Sequence, residues 1–320
     1  MLGRFKIFQK SVLLIISIFL IIGLNFNLES CKGLNENTLY VGGDGSGNYS
    51  SIQDAINNSF EDDTILIYNG SYFESIVINK PINLVGLDKN TTFINGNDSL
   101  YTILIKSPYV NITRLSIING KIGIYVLGKN YSHNNVSNNI IYENIEGIHL
   151  DNTSNNIIFN NLIHNNTNYG ISAYESSNNF IHNNTIEKNA AGLYLGRWSD
   201  YNVLSNNTVI GSYYSINLDS SFNNKINDNF ITENTIGIIL SYSRHNNITN
   251  NNFSFNRDSA ITLSKSDENT ITLNTYFNNY QDVKKESTPP DIKAPGFELF
   301  FLICAIVIVV LSKRAYKTKN

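Results

Sequence analysis

Asparagine recurs through the second half of this chain at a near-constant interval, and that interval limits what the chain can fold into. One column stands at Asn134, Asn156, Asn179, Asn202, Asn224, Asn246 and Asn269, in steps of 22 or 23 residues. A second lies five residues further on, at Asn139, Asn161, Asn184, Asn207, Asn229, Asn251 and Asn274. Two residues after each Asn of the first column comes a branched aliphatic: Val136, Ile158, Ile181, Leu204, Ile226, Ile248 and Ile271. A unit of this length cannot bury its own apolar face, so the copies must stack into an array with one shared core.

The rest of each repeat reads as strands. Another apolar column runs through Ile141, Ile163, Ile186, Val209, Ile231 and Phe253. Pairs two residues apart, such as Ile148/Leu150, Ile171/Ala173 and Leu193/Leu195, point to one side of a pleated strand. No repeat carries an apolar stripe of helical period long enough for two helices, which excludes an α-solenoid. Three short strands per repeat predict an all-β, single-stranded, right-handed parallel β-helix of about ten turns over residues 38–283. Stacked turns lie about 4.8 Å apart, so each Asn amide can bond the Asn above and below it. Asn also tolerates the left-handed backbone region, so the ladder residues themselves are expected to turn the corners. A Ser/Thr column, Thr153, Ser176, Ser199, Ser221, Ser243 and Ser266, reads the same way. Asn217, between inward Ile216 and Leu218, is expected on an outward, solvated position, as are the carboxylates.

Departures from the period mark places where the coil must bulge. Two 23-residue turns take their extra residue before the third strand, near Tyr169 and Ser259. Another takes it between Leu195 and Ser199, at Gly196, Arg197 and Trp198, and this insertion carries the only Trp of the chain.

The two ends differ in character from the body. Residues 1–31 hold Arg4, Lys6 and Lys10 ahead of an apolar run, the pattern of a secretory signal peptide. A polar, Pro-bearing spacer covers 284–296, an apolar anchor or sorting helix 297–312, and a basic cytoplasmic tail 313–320. Pro295, Gly296 and Phe297 before that run resemble the PGF-CTERM archaeal sorting signal, in which an archaeosortase removes the helix and attaches a lipid. The expected location is therefore the outer face of the cytoplasmic membrane or the cell surface. Sequons are frequent, Asn183 and Asn206 among them, and a secreted body would present several for glycosylation.

Ser50 or Ser51 can cap a short helix whose Ile52, Ala55, Ile56 and Phe60 form one apolar face, covering the first open turn. Residues 64–68, 75–79 and 82–85 then alternate as strands. The segment from Asp44-Gly45-Ser46-Gly47 through Ile52-Gln53-Asp54-Ala55-Ile56 resembles the start of pectin-lyase-like β-helix proteins, pectin methylesterases included. The Asn-ladder turns resemble the NosD-type repeats of the carbohydrate-binding and sugar-hydrolase (CASH) group. The resemblance implies the fold across residues 38–283 and does not carry an activity with it. Carrying over catalytic residues finds none. The methylesterase segment has no match, and the adjacent pair Asp62-Asp63 is expected in the opening segment, before the first strand. Asp151 and Asp219 share a column three turns apart, about 14 Å, too wide for one Ca²⁺. NosD proteins are linked to copper-site maturation, yet His133 and His245 stand five turns apart, and His149, His164 and His182 fall in different columns. No metal ligand set and no cofactor is expected.

One surface has the chemistry of a saccharide platform. Arg197, Trp198 and Tyr201 stand on the bulge, and Tyr174, Glu175, Asp219 and Tyr242 come from equivalent corners of nearby turns. Aromatic rings stack on the apolar faces of sugars, while carboxylates and Arg bind hydroxyls. A net charge of −3 speaks against nucleic acid as partner. The leading expectation is a surface-anchored, non-catalytic protein that binds extracellular or cell-wall polysaccharide. A polysaccharide lyase, hydrolase or epimerase, and a structural or adhesion protein, are the alternatives; copper-site maturation ranks below both.

Overall fold

The computed structural model describes residues 37–286. The signal, anchor and tail expected from the sequence lie outside these residues. No helix among them is long and apolar enough to cross a membrane. Three parallel sheets of eleven, ten and ten strands form the walls of the coil; ten turns add one strand to every sheet, and Thr38–Val41 is an extra first strand of the first sheet. The first sheet runs from Thr38–Val41 to Thr270–Thr272, the second from Gly70–Phe73 to Thr275–Phe277, and the third from Ile76–Ile78 to Val283–Glu286. Equivalent residues pair in register: Ile158 with Ile181, Ile181 with Leu204, Leu204 with Ile226. The coil therefore continues three residues beyond the boundary expected at 283. Lys284 ties this last strand down, its Nζ lying 3.2 Å from Asp258 Oδ2 and 2.8 Å from Glu286 Oε1.

The inward columns make one continuous core. A single turn contributes Ile158, Ile163, Ile171 and Ala173, all buried, and the next contributes Ile181, Ile186, Leu193 and Leu195. Each buried aliphatic side chain stabilises the coil by roughly 1.5–3 kcal/mol relative to exposure. At the N-terminal end the helix Ile52–Asn58 covers this core with Ile52, Ala55 and Ile56. Ser51 is its N-cap, its Oγ accepting from Asp54 N, and the Glu74 carboxylate accepts from Ile52 N at 2.8 Å and Gln53 N at 3.0 Å. Phe60 is not on its apolar face: the helix ends at Asn58, leaving Phe60 77% exposed.

The asparagine columns are ladders. Asn207 Oδ1 accepts from both the backbone N and the Nδ2 of Asn184 at 3.0 Å. Its own Nδ2 donates to Asn229 Oδ1 at 3.1 Å and to the Ile181 carbonyl at 2.9 Å. The first column repeats the pattern, as at Asn156 and Asn179. Ser and Thr hydroxyls form a related chain in which Thr153 N donates to Ser176 Oγ and Ser176 N to Ser199 Oγ. The ladder residues do not themselves turn the corners. The residue before each ladder Asn adopts the left-handed conformation, as Asn155, Asn178, Asn183 and Asn206 do. A ladder amide must point into the coil, and it is the preceding residue that reverses the chain. A third ladder, absent from the sequence reading, runs through Asn144, Asn166 and Asn189, breaks at Ser212, and resumes at Asn234, Asn256 and Asn279.

Asn217 does not occupy the solvated position expected of it. It does face outward from the third sheet, but it is only 4% exposed. In-register stacking places it between Tyr194 and Ile239, and these larger side chains close over it. Ser172, between His149 and Tyr194, and Thr262, between Ile239 and Lys284, are buried in the same way.

Candidate functional site

Strands of the third sheet in the middle of the coil are six residues long, against three for those of the other two. A six-residue strand turns three side chains outward per turn, so this sheet has the broadest outer face. Over the turns from Ile122 to Asp219 that face carries acids, an imidazole and tyrosines beside Ser172 and Asn217.

Its polar centre is a three-residue cluster. Glu146 Oε2 lies 2.7 Å from His149 Nδ1 and accepts the Ser172 hydroxyl at 2.6 Å, while Ser172 Oγ is 2.8 Å from the same His149 nitrogen. Glu146 starts the strand Glu146–Asp151, His149 sits three residues along it, and the register brings Ser172 beside His149 from the next turn. Glu146 is 4% exposed, which overturns the expectation of a solvated carboxylate. A buried carboxylate is retained only with partners, and here it has two. Because a carboxylate can only accept, Nδ1 carries the proton shared with Glu146, and Nε2 is the unprotonated nitrogen of the neutral ring. Tyr125 packs edge-on against the imidazole at 5.0 Å between centroids, and Tyr174 lies 5.3 Å away on the neighbouring turn. Tyr125 Oη also donates to Asp151 Oδ2 at 3.0 Å.

Beside the cluster lies an aromatic patch of Tyr169, Tyr174 and Tyr194, with Tyr214 packed against it. The Tyr169 and Tyr194 rings stack at 4.9 Å, and Tyr174 meets Tyr194 at 5.2 Å. Burial pushes the phenols of Tyr169, Tyr174 and Tyr194 well above the usual tyrosine range, and that of Tyr214 up to about 12. These hydroxyls stay protonated at neutral pH. They can donate hydrogen bonds but cannot serve as bases.

The corner residues picked out from the sequence divide into two sets. Tyr174 is buried in the aromatic patch, with the Arg197 guanidinium carbon 6.0 Å from its ring centre. Asp219 pairs across Gly196 with this column, and its Oδ2 lies 3.5 Å from Tyr194 Oη. Glu175 is joined through its backbone N–H to the Arg197 carbonyl at 3.1 Å. Trp198 is 65% exposed and, like Arg197, has a left-handed backbone, as an outward insertion requires. Ser199 beyond it returns to the hydroxyl chain, in phase with Ser176. Tyr201 and Tyr242 are also exposed, but Tyr242 turns toward Lys265, which donates to its hydroxyl at 3.0 Å. The structure thus joins Tyr174, Arg197 and Asp219 to the outer face of the third sheet and leaves Trp198, Tyr201 and Tyr242 along its rim.

Glu146, Ser172 and the part played by His149 were not found from sequence. The available signal was positional: His149 lies between inward Ile148 and Leu150, so its column was readable. The other imidazoles do different work. His164 stacks on Tyr142 at 5.0 Å and His182 on Phe180 at 4.2 Å, and desolvation lowers the pKa of both. His133 stacks on Tyr109, and His245 pairs with Glu268. Among the described residues no three His, Cys, Asp or Glu come together to hold a metal ion.

Comparison with solved structures gives the fold a setting. The chain is similar to an alginate lyase from Paenibacillus sp. str. FPU-7, with 16% identity, 77% of this chain and 99% of that one covered, and a TM-score of 0.53. It is similar to the A-module of the mannuronan C-5 epimerase AlgE4 of Azotobacter vinelandii, with 15% identity, 78% and 98% covered, and a TM-score of 0.57. A pectin methylesterase from carrot shares 14% identity over 84% of this chain and 92% of its own, at a TM-score of 0.52. At such identities the likeness is one of fold, the pectin-lyase-like β-helix. No curated protein sequence matches the chain. A family described as periplasmic copper-binding protein (NosD) matches over residues 56–212 and 197–293, which together span most of the coil, and the chain therefore belongs to the NosD family.

Proposed function

We propose that this protein binds extracellular or cell-wall polysaccharide along the outer face of its third sheet, held at the cell surface by the apolar segment 297–312. The observation that carries the reading is the concentration of rings, acids and one guanidinium on that face: Tyr174 against Arg197, Asp219 beside Tyr194, and Trp198 exposed on the rim. Rings can cover the apolar faces of sugars while the charged groups bind their hydroxyls or carboxylates. The neighbours named for alginate, mannuronan and pectin support a glycan ligand, and an acidic one suits Arg197. In the alternative form of the same proposal an archaeosortase cuts at the PGF segment, and a lipid takes the place of segment 297–312 as the anchor.

Copper fits the described residues poorly. Copper sites need several imidazole or sulfur ligands together. Here His149 is the only imidazole on this face, and its Nδ1 is taken by Glu146 and Ser172.

A glycan array probed with the purified protein tests the reading. Trp198→Ala should weaken binding at least tenfold while changing stability by under about 0.5 kcal/mol, as expected for an exposed corner side chain. Absence of any glycan ligand, or unaltered affinity in the variant, would reject the platform.

A further inference from the structure

Two of the three groups in the polar cluster cannot reach a ligand. Glu146 is buried and accepts from both of its neighbours. Ser172 is fully buried and donates its hydroxyl to that carboxylate, which rules it out as an outward nucleophile. His149 is different. Its side chain is 13% exposed, and its bonds to Glu146 and Ser172 are both made through Nδ1. An imidazole fixed by a carboxylate through one nitrogen, walled by Tyr125 and Tyr174, and reaching solvent elsewhere is arranged for proton transfer.

The surroundings narrow the reaction. Hydrolysis of a glycosidic bond ordinarily uses two carboxyl groups on opposite sides of that bond. Here Glu146 sits behind the imidazole and Asp151 is held by Tyr125. The nearby phenols of Tyr169, Tyr174 and Tyr194 are held protonated by burial. An imidazole that reaches the surface with a carboxylate fixed behind it suits removal of a carbon-bound proton. Imidazole is strong enough for that only where an adjacent carboxylate delocalises the resulting charge. Among sugars, uronic acids have this arrangement, with C5 next to the carboxylate. Arg197, packed over Tyr174, gives the same face a positive charge for that carboxylate.

We propose that His149 is the base of a β-elimination on a uronate-containing polysaccharide, an inference that rests on the glycan reading above. Nε2 takes the proton from C5, and the C–H electron pair passes into the carboxylate-stabilised enolate. The C4–O bond to the next sugar then breaks. The imidazolium returns its proton to the departing oxygen. One chain becomes two, one ending in a C4=C5 double bond and the other in a free hydroxyl. Nothing is oxidised or reduced and no water is consumed. Glu146 and Ser172 act as positioning residues.

The test uses the full chain with polymannuronate, polyguluronate and polygalacturonate. Cleavage is followed by the ultraviolet absorbance of the new double bond, and binding by calorimetry. Expected is product from at least one polymer and a fall of about 10²–10⁴-fold in kcat for His149→Ala. Added imidazole should restore part of that loss, which a merely structural role would not allow. Glu146→Gln should lower kcat with KM held. Should the alanine variant unfold, His149→Gln, which keeps a hydrogen bond to Glu146, replaces it. Full activity in a folded His149 variant overturns the proposal. Polymer bound without double-bond formation overturns it and leaves the glycan reading standing. No binding of any polymer removes both.

Discussion

The inside of this coil and the outer face of its third sheet are built from the same strands under opposite constraints. Inside, a residue must match the one above and the one below, so Ile158, Ile181, Leu204 and Ile226 repeat nearly one residue type. Outside, the same register sets Tyr125, His149, Ser172, Tyr194 and Asn217 in one column with four different chemistries. Stacking demands uniformity where neighbours share a core or a ladder. On the outer face it demands only that large and small side chains cover one another.

The ladders should break most severely. Asn207→Leu removes the acceptor for Asn184 N and the donor to the Ile181 carbonyl, both in a buried corner. An unmet buried polar group costs about 1–3 kcal/mol, so the substitution should destabilise the coil by about 2–5 kcal/mol. No strain is added, because the left-handed corner belongs to Asn206. Denaturant unfolding measures the loss, and an unchanged midpoint would mean that the ladder contributes nothing.

The contrast also explains what could be read from the sequence. The inward columns, two ladders and the hydroxyl chain each repeat one residue type, so their spacing revealed them. The third ladder escaped because Ser212 interrupts it between Asn189 and Asn234. The Trp198 insertion was legible because the next serine returned in phase. The Glu146–His149–Ser172 cluster was not, because its members occupy two columns and two turns and never recur. Its existence depends on burial of an outward face, which neither hydropathy nor period reports. Phe60 misled for a related reason: it has the right helical spacing but follows the helix end.

A second test acts on the aromatic patch alone. Burial holds the phenols of Tyr169, Tyr174 and Tyr194 protonated beyond the ordinary value of 10.0. Above that pH the unfolded chain loses these protons while the folded one retains them. The rings' contribution to stability should therefore be constant below pH 10 and fall as pH rises further, by about 1.4 kcal/mol per ring for each pH unit. Tyr194→Phe should remove one ring's share of that slope. Chemical unfolding of both proteins at a series of alkaline pH values would show it, and identical slopes would mean that the ring ionises as easily folded as unfolded.

The smallest effect is the most discriminating, because a solvated outer position and a covered one lead to different accounts of it. Asn217 lies between Tyr194 and Ile239 with its Oδ1 buried and without a hydrogen-bond partner. Leucine in its place would remove that unmet acceptor and extend the apolar contact between the two neighbours. It would cost some rotamer freedom and some adjustment of packing. The two sides should nearly cancel, with a change of less than about 1 kcal/mol in either direction. Asn207 and Asn217 thus form a matched pair: the same substitution in equally buried asparagines, one inside a ladder and one on the outer face. If both variants lose several kcal/mol, burial of the amide is what matters. If only Asn207→Leu does, the ladder bonds are the cause, and the outer face is free to change its chemistry from turn to turn, as a binding surface must.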